Sequence, residues 1–176
     1  MEDLVLVRPA FGDEAALEKY KRIMLENDSS MDGCGSLRKT EKMSAWIQES
    51  LNHEKGIDIP AHFVPATQFV AKTNDGQIVG MIQIRHELTE FLLNYGGHIG
   101  YSVRPDFRQK GIASWMLESV LPYCKTLGIH SVLITCLEDN EASRRTILKN
   151  GGIYEDTRIS DENEHLQRYW IEIGND

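Results

Sequence analysis

The stretch that most limits the fold runs from His98 to Cys136. An apolar run, His98 to Val103, is followed by the hexapeptide Arg108-Gln-Lys-Gly-Ile-Ala113, a long amphipathic segment ending near Leu127, and a second apolar run, Val132 to Cys136. Strand, helix and strand at this spacing make a βαβ unit, whose two strands are parallel and whose crossover is right-handed. Its Gly-bearing loop lies at the C-terminal end of the first strand, where such units bind ligands. There, several backbone N–H groups and the positive helix end converge on one spot, where a phosphate can sit. Arg108 and Lys110 flank that spot with two cations. No Gly-x4-Gly-Lys-Ser/Thr occurs, which excludes a P-loop. A dinucleotide fingerprint needs three glycines where this loop has one. The pattern reads as a diphosphate cradle of another kind.

The flanking segments predict the rest. Leu4 to Val7 reads as a short strand, and Asp13 as the cap of a helix carrying Ala16, Leu17, Tyr20 and Met24 at helical spacing. Thr40 to Leu51 reads as a second helix, after a polar Gly-bearing loop from Asn27 to Ser36. Gln68–Lys72 and Ile78–Arg85 read as strands joined by the hairpin turn Asn74-Asp75-Gly76-Gln77. Leu88 to Asn94 is ambiguous between a helical turn and a strand edge. After Cys136, Glu141 to Lys149 reads as a short helix, and Ile153–Ile159 and Leu166–Ile173 as two last strands. Neither repeat nor linker interrupts the chain, so residues 1–176 are expected to form a single domain. The predicted fold class is α/β (α+β mixed): one central, mixed, mostly antiparallel sheet of about seven strands, with one parallel β-α-β pair and helices on both faces.

Composition narrows the functional classes. A net charge of -8 argues against nonspecific nucleic-acid binding, which needs a basic surface. Cys34, Cys124 and Cys136 form no Cys-x-x-Cys pair, which points to a reducing compartment and to no structural zinc. The start Met-Glu-Asp-Leu-Val lacks a basic, then apolar, leader, and no apolar run approaches the ~20 residues of a membrane helix. The expectation is a cytoplasmic protein with no membrane or nucleic-acid partner and no metal.

The two motifs, in this order, resemble the GNAT superfamily of acyl-CoA-dependent N-acetyltransferases. The family's loop is Gln/Arg-x-x-Gly-x-Gly/Ala, which Arg108-Gln-Lys-Gly111-Ile-Ala113 matches. Its second signature, an Asn that opens the helix after the next strand, is matched by Asn140-Glu-Ala-Ser143 through Asn150-Gly151-Gly152. The likeness extends over essentially the whole chain. The wording Gly96-Gly-His-Ile-Gly-Tyr-Ser-Val-Arg-Pro105, with Tyr169-Trp170-Ile171, is similar to a bacterial subgroup of uncharacterised predicted acetyltransferases.

The resemblance implies acetyl-CoA as acyl donor and a direct transfer to a primary amine in a ternary complex. It implies that the amides of Gln109, Lys110, Gly111, Ile112, Ala113 and Ser114 hold the pyrophosphate. Arg108 and Lys110 then face solvent or the 3′-phosphate. The pantetheine arm pairs with backbone near Val103, and the Tyr101 amide faces the thioester carbonyl. Asn140 and Ser143 match positions that touch the pantetheine or help the leaving thiol; for Asn140 a helix cap is the competing reading. His98 stands where many members carry a glutamate, and a neutral imidazole is a competent base at neutral pH. The other reading of His98 is a ring packed beside the sheet, and His86 and Glu87 are rival bases. The family's usual Tyr acid, seven residues after the Asn, is Ile147 here. Either the thiolate leaves unprotonated into solvent or Tyr101, Tyr154 or Tyr169 substitutes, and Cys136 reads as a buried thiol. Acids in the segments expected to build the acceptor site (Asp28, Asp32, Glu49, Glu54, Asp58, Glu87, Glu90) point to a cationic, amine-bearing acceptor, which is a small molecule or a protein. The family also suggests a homodimer. The alternative function is a non-catalytic acyl-CoA sensor or interaction module.

Overall fold

The structure, a computed structural model, describes residues 3–174. The elements follow in the order β1 (Leu4–Val7), α1 (Glu14–Glu26), α2 (Met43–Glu54), β2 (Ala66–Thr73), β3 (Ile78–Arg85), β4 (Ile99–Val103), α3 (Ile112–Thr126), β5 (Ser131–Leu137), α4 (Glu141–Lys149), β6 (Ile153–Ile159) and β7 (His165–Glu172). The turn between β2 and β3 forms where Asn74-Asp75-Gly76-Gln77 predicts it, with Gly76 at φ 84°. The ambiguous segment after β3 resolves into a π-helical turn, Leu92–Gly96.

The strands form two sheets, which corrects the expectation of one. The first has the order β1-β2-β3-β4 and the second β5-β7-β6. All five ladders are antiparallel. Helices cover both faces of the first sheet. Leu17, Tyr20 and Met24 of α1, with Trp46 and Ile47 of α2, pack on Val70, Ile78 and Met81. Met116, Leu117, Val120 and Cys124 of α3 pack on Val79, Ile82 and Ile84 and reach Val132 and Ile134 of β5. The apolar spacing that predicted α1 and α3 is the spacing of these buried faces.

The expected parallel pair, β4 and β5, is adjacent but forms no ladder. The two strands are held at one end only, where the His98 N–H donates to the Leu133 carbonyl at 2.7 Å. The Leu133 N–H is then taken by a side chain, donating to His98 Nδ1 at 2.9 Å. No second backbone bond joins them among the described residues, and the strands part toward their C-terminal ends, where the cleft opens. Gly97 makes the approach possible. Its backbone lies at φ 69°, ψ -176°, a region that only glycine occupies readily. A Cβ there would stand 2.7 Å from the Leu133 carbonyl oxygen. Gly97→Ala is therefore expected to lower stability by about 2 kcal/mol or more, read as a lower urea midpoint.

Candidate functional site

The parting of β4 from β5 opens a cleft of about 1460 Å³ through the centre of the molecule. On one side it meets the loop before α3 and the first turn of α4. On the other it meets the α1–α2 loop, the π-helical turn and the β6–β7 loop.

The cradle lies in the first wall. Gln109 at φ 60° and Gly111 at φ 79° turn the chain twice into the left-handed region just before α3. Six consecutive N–H groups, from Gln109 to Ser114, donate no hydrogen bond among the described residues. Successive free N–H groups in such turns form an anion-binding nest at a positive helix end. Arg108, Gln109, Gly111, Ile112, Ala113 and Ser114 all line the cleft. The Ser114 hydroxyl accepts from Asn150 Nδ2 at 3.1 Å, which ties the cradle to the end of α4. Of the two cations, Arg108 turns inward, its Nε donating to the Val103 carbonyl at 3.0 Å. Lys110 stays outside the cleft lining, its Nζ 4.8 Å from the centre of the Phe107 ring.

The floor is β4. Its ladder to β3 is flanked by Arg85 N–H to His98 carbonyl and Arg104 N–H to Val79 carbonyl, both carried by even-numbered residues of this strand. By antiparallel alternation, the N–H groups of Tyr101 and Val103 then turn away from β3 and into the gap. The Tyr101 side chain crosses that gap, its hydroxyl 2.8 Å from Ser143 Oγ of α4. Burial first, partly offset by this bond, pushes the Tyr101 phenol well above its usual range, so it keeps its proton. Asn140 caps α4 by accepting the Ser143 N–H on Oδ1 at 3.1 Å. Both residues line the cleft.

His98 is placed differently from the reading that made it the base. It is 6 % exposed and lies outside the cleft lining. Because Nδ1 accepts the Leu133 N–H, the neutral ring carries its proton on Nε2 and has no free lone pair to offer. Burial, with the Arg85 charge nearby, lowers its pKa to about 4. The rivals are also turned away: His86 bonds Thr67 Oγ1 at 2.8 Å, and Glu87 lies outside the cleft. Of the acids expected around the acceptor, Asp28 and Asp32 line the cleft, whereas Glu54 is spent on Arg8 at 2.6 Å. Asp161, Glu162 and Glu164 of the β6–β7 loop join them, a contribution no local motif announces. Ile147, at the usual Tyr position, is fully buried in the core. Tyr154 and Tyr169 pack on each other away from the cleft, while Cys136 reaches its lining. Among the described residues, no group of three or more His, Cys, Asp or Glu side chains converges as a metal site would.

The comparisons agree with this fold. The sequence matches the acetyltransferase (GNAT) domain family over residues 4–153, so the chain belongs to the GNAT acetyltransferases and is an acyltransferase. Among solved structures, it is similar to RimL, a ribosomal L7/L12 alpha-N-protein acetyltransferase in complex with coenzyme A. The TM-score is 0.71 at 19% identity, covering 100% of this chain and 97% of that one. It is also similar to the microcin C7 self-immunity acetyltransferase MccE in complex with acetyl-CoA and AMP, with a TM-score of 0.67 at 18% identity over 98% of this chain and 94% of that one. A Salmonella typhimurium acetyl transferase that modifies the N-terminal serine of ribosomal protein L7/L12 gives 0.66 at 19% identity, over 99% and 97%. Among curated proteins, no sequence matches.

His98 carries a pH signature. The unfolded ring takes up a proton near 6.5, the folded one only near 4, so between these values the folded chain binds fewer protons. Its contribution is complete above pH 6.5 and is lost as pH falls toward 4. His98→Asn keeps an acceptor for Leu133 and removes the titration. It is expected to flatten the fall in urea midpoint over that range without moving the pH profile of acetyl transfer. His98→Ala, which strands the Leu133 N–H, is expected to cost about 1–3 kcal/mol.

Proposed function

We propose that the chain acts as one domain that transfers an acetyl group from acetyl-CoA to a primary amine by direct attack. The observation that carries this reading is the run of six N–H groups, unpartnered among the described residues, at the mouth of a cleft whose floor offers further N–H groups. That wall fits a pyrophosphate, because a Cβ at position 111 would strain the turn that aims the amides.

Acetyl-CoA supplies a thioester: the acceptor ammonium loses one proton, its nitrogen bonds to the carbonyl carbon and gives up a second proton, and the C–S bond breaks with sulfur leaving as thiolate. The Tyr101 N–H is the donor to the carbonyl oxygen as that oxygen gains charge. The hydroxyls of Tyr101 and Ser143, one protonated pair within the cleft, hydrogen-bond the departing sulfur in place of the missing Tyr at 147. The acids of the far wall, Asp28, Asp32, Glu162 and Glu164, attract the acceptor as an ammonium and take its proton, directly or through water. His98 has no part in proton transfer; its role is to hold the strands at the closed end of the gap.

Calorimetric titration with acetyl-CoA, with ATP and NADH as controls, is expected to show micromolar binding to acetyl-CoA alone. Gly111→Val is expected to weaken it by about tenfold or more, since a β-branched residue resists the left-handed turn. Tyr101→Phe and Ser143→Ala should each lower kcat by roughly tenfold, with the acetyl-CoA KM within about twofold of the parent. An unchanged kcat in both would remove the hydroxyl pair from the chemistry.

A further inference from the structure

Three arginines, Arg85, Arg104 and Arg168, are set into the body of the fold, and two of them are neutralised. Arg104 is paired with Asp106 at 2.7 Å, and Arg168 with Glu155 and Asp156 at 2.5 and 2.9 Å. Arg85, at the end of β3, has no carboxylate within ion-pair distance among the described residues. Its Nη1 is fixed by the carbonyls of Gly96 and Gly97, at 3.1 and 3.3 Å. The other edge of the guanidinium, Nε and Nη2, makes no hydrogen bond among the described residues, and the residue lines the cleft.

The position is on the acceptor side. By strand alternation, Arg85 shares a face of β3 with Met81 and Gln83, the face under α1 and α2, opposite the cradle. It lies against β4 at Gly100, immediately before Tyr101: a Cβ on Gly100 would stand 3.3 Å from Nη2. The missing side chain at Gly100 lets both Nη2 and the Gly33 backbone, 3.0 Å from where that Cβ would stand, lie against the strand. Burial lowers the Arg85 pKa from its ordinary value, and Asp32 pulls it partly back. A half-buried charge without a partner is costly, and a structural cation would have acquired one, as Arg104 and Arg168 did.

We propose that Arg85 binds a carboxylate of the acceptor through its Nε–Nη2 edge, so that the acceptor is an amino-acid-type zwitterion whose ammonium faces Asp28 and Asp32. The free edge is the planar two-donor fork that matches a carboxylate in bidentate fashion. One fixed cation balances one carboxylate, and the adjacent acids that welcome an ammonium disfavour a dianionic group. A polyamine, by contrast, would place a second ammonium against the Arg85 charge. The inference rests on the proposed transfer chemistry for its placement, but not for its test.

The test is binding, read independently of turnover. N-acetyl derivatives of the proteinogenic amino acids, each beside its N-acetyl amino amide, are titrated calorimetrically into the protein in the presence of coenzyme A. At least one free acid is expected to bind tenfold to a hundredfold more tightly than its amide, the range of a charge-assisted bond. Arg85→Gln should erase that ratio while coenzyme A affinity, which reports the intact fold, stays within about twofold. Arg85→Lys, with its charge but no fork, should keep part of it. Acids and amides that bind alike, or not at all, or a ratio that survives in Arg85→Gln, would overturn the proposal. Thiol release with free amino acids then separates the two readings. Binding preference without transfer sinks the catalytic reading alone, whereas transfer to amines regardless of a carboxylate sinks the Arg85 assignment alone.

Discussion

Everything in the site depends on where β4 and β5 stop touching. Two hydrogen bonds between position 98 and Leu133 hold the strands together, and the second uses an imidazole where a ladder would use a carbonyl. The His98 carbonyl, which a parallel ladder would use next, faces β3 and accepts the Arg85 N–H. The imidazole satisfies the Leu133 N–H, and beyond it the amides of Tyr101 and Val103 face the gap without a strand to bond. Buried N–H groups need partners, so a gap of this kind is stable only where water or a ligand can supply the acceptors.

The cleft is electrically divided. One wall presents the positive end of α3 with its free amides, suited to a phosphate group. The other mixes Arg85 with a rim of carboxylates, suited to a group that carries both signs. The net charge of -8 therefore says little about either wall, since local dipoles and a single oriented guanidinium outweigh it at short range. The Tyr101–Ser143 bond spans the gap between the walls, joining β4 to the helix that Asn140 caps. Asn140 thus orders the helix that carries Ser143, and its cap reading and a role in the site are compatible.

Much of this was legible in the residue order. Helical spacing located α1 and α3, the Asn-Asp-Gly turn located the β2–β3 hairpin, and a Gly beside a helix start located the left-handed turn before α3. These are local properties, carried by periodicity and backbone preference within a few residues. The single mixed sheet was not legible, because period-2 patterning shows which face of a strand is buried but not whether its neighbour continues the ladder. The same blindness made His98 look like a base. Its position in the sequence is that of an active-site residue, yet only the position of Leu133, 35 residues away, decides that its lone pair is already used.

The sequence by itself determined the family, the order of the elements and the turn before α3, since each rests on patterns among near neighbours in the chain. The tertiary structure alone decided which charges are spent and which are free. Arg104 and Arg85 are equivalent as letters; one meets Asp106 two residues on, and the other ends at an open gap. The carboxylates of the β6–β7 loop reach the cleft only because β7 pairs between β5 and β6 and carries that loop to its rim. Charge pairing and cleft lining are set by through-space distance, which a linear pattern does not encode.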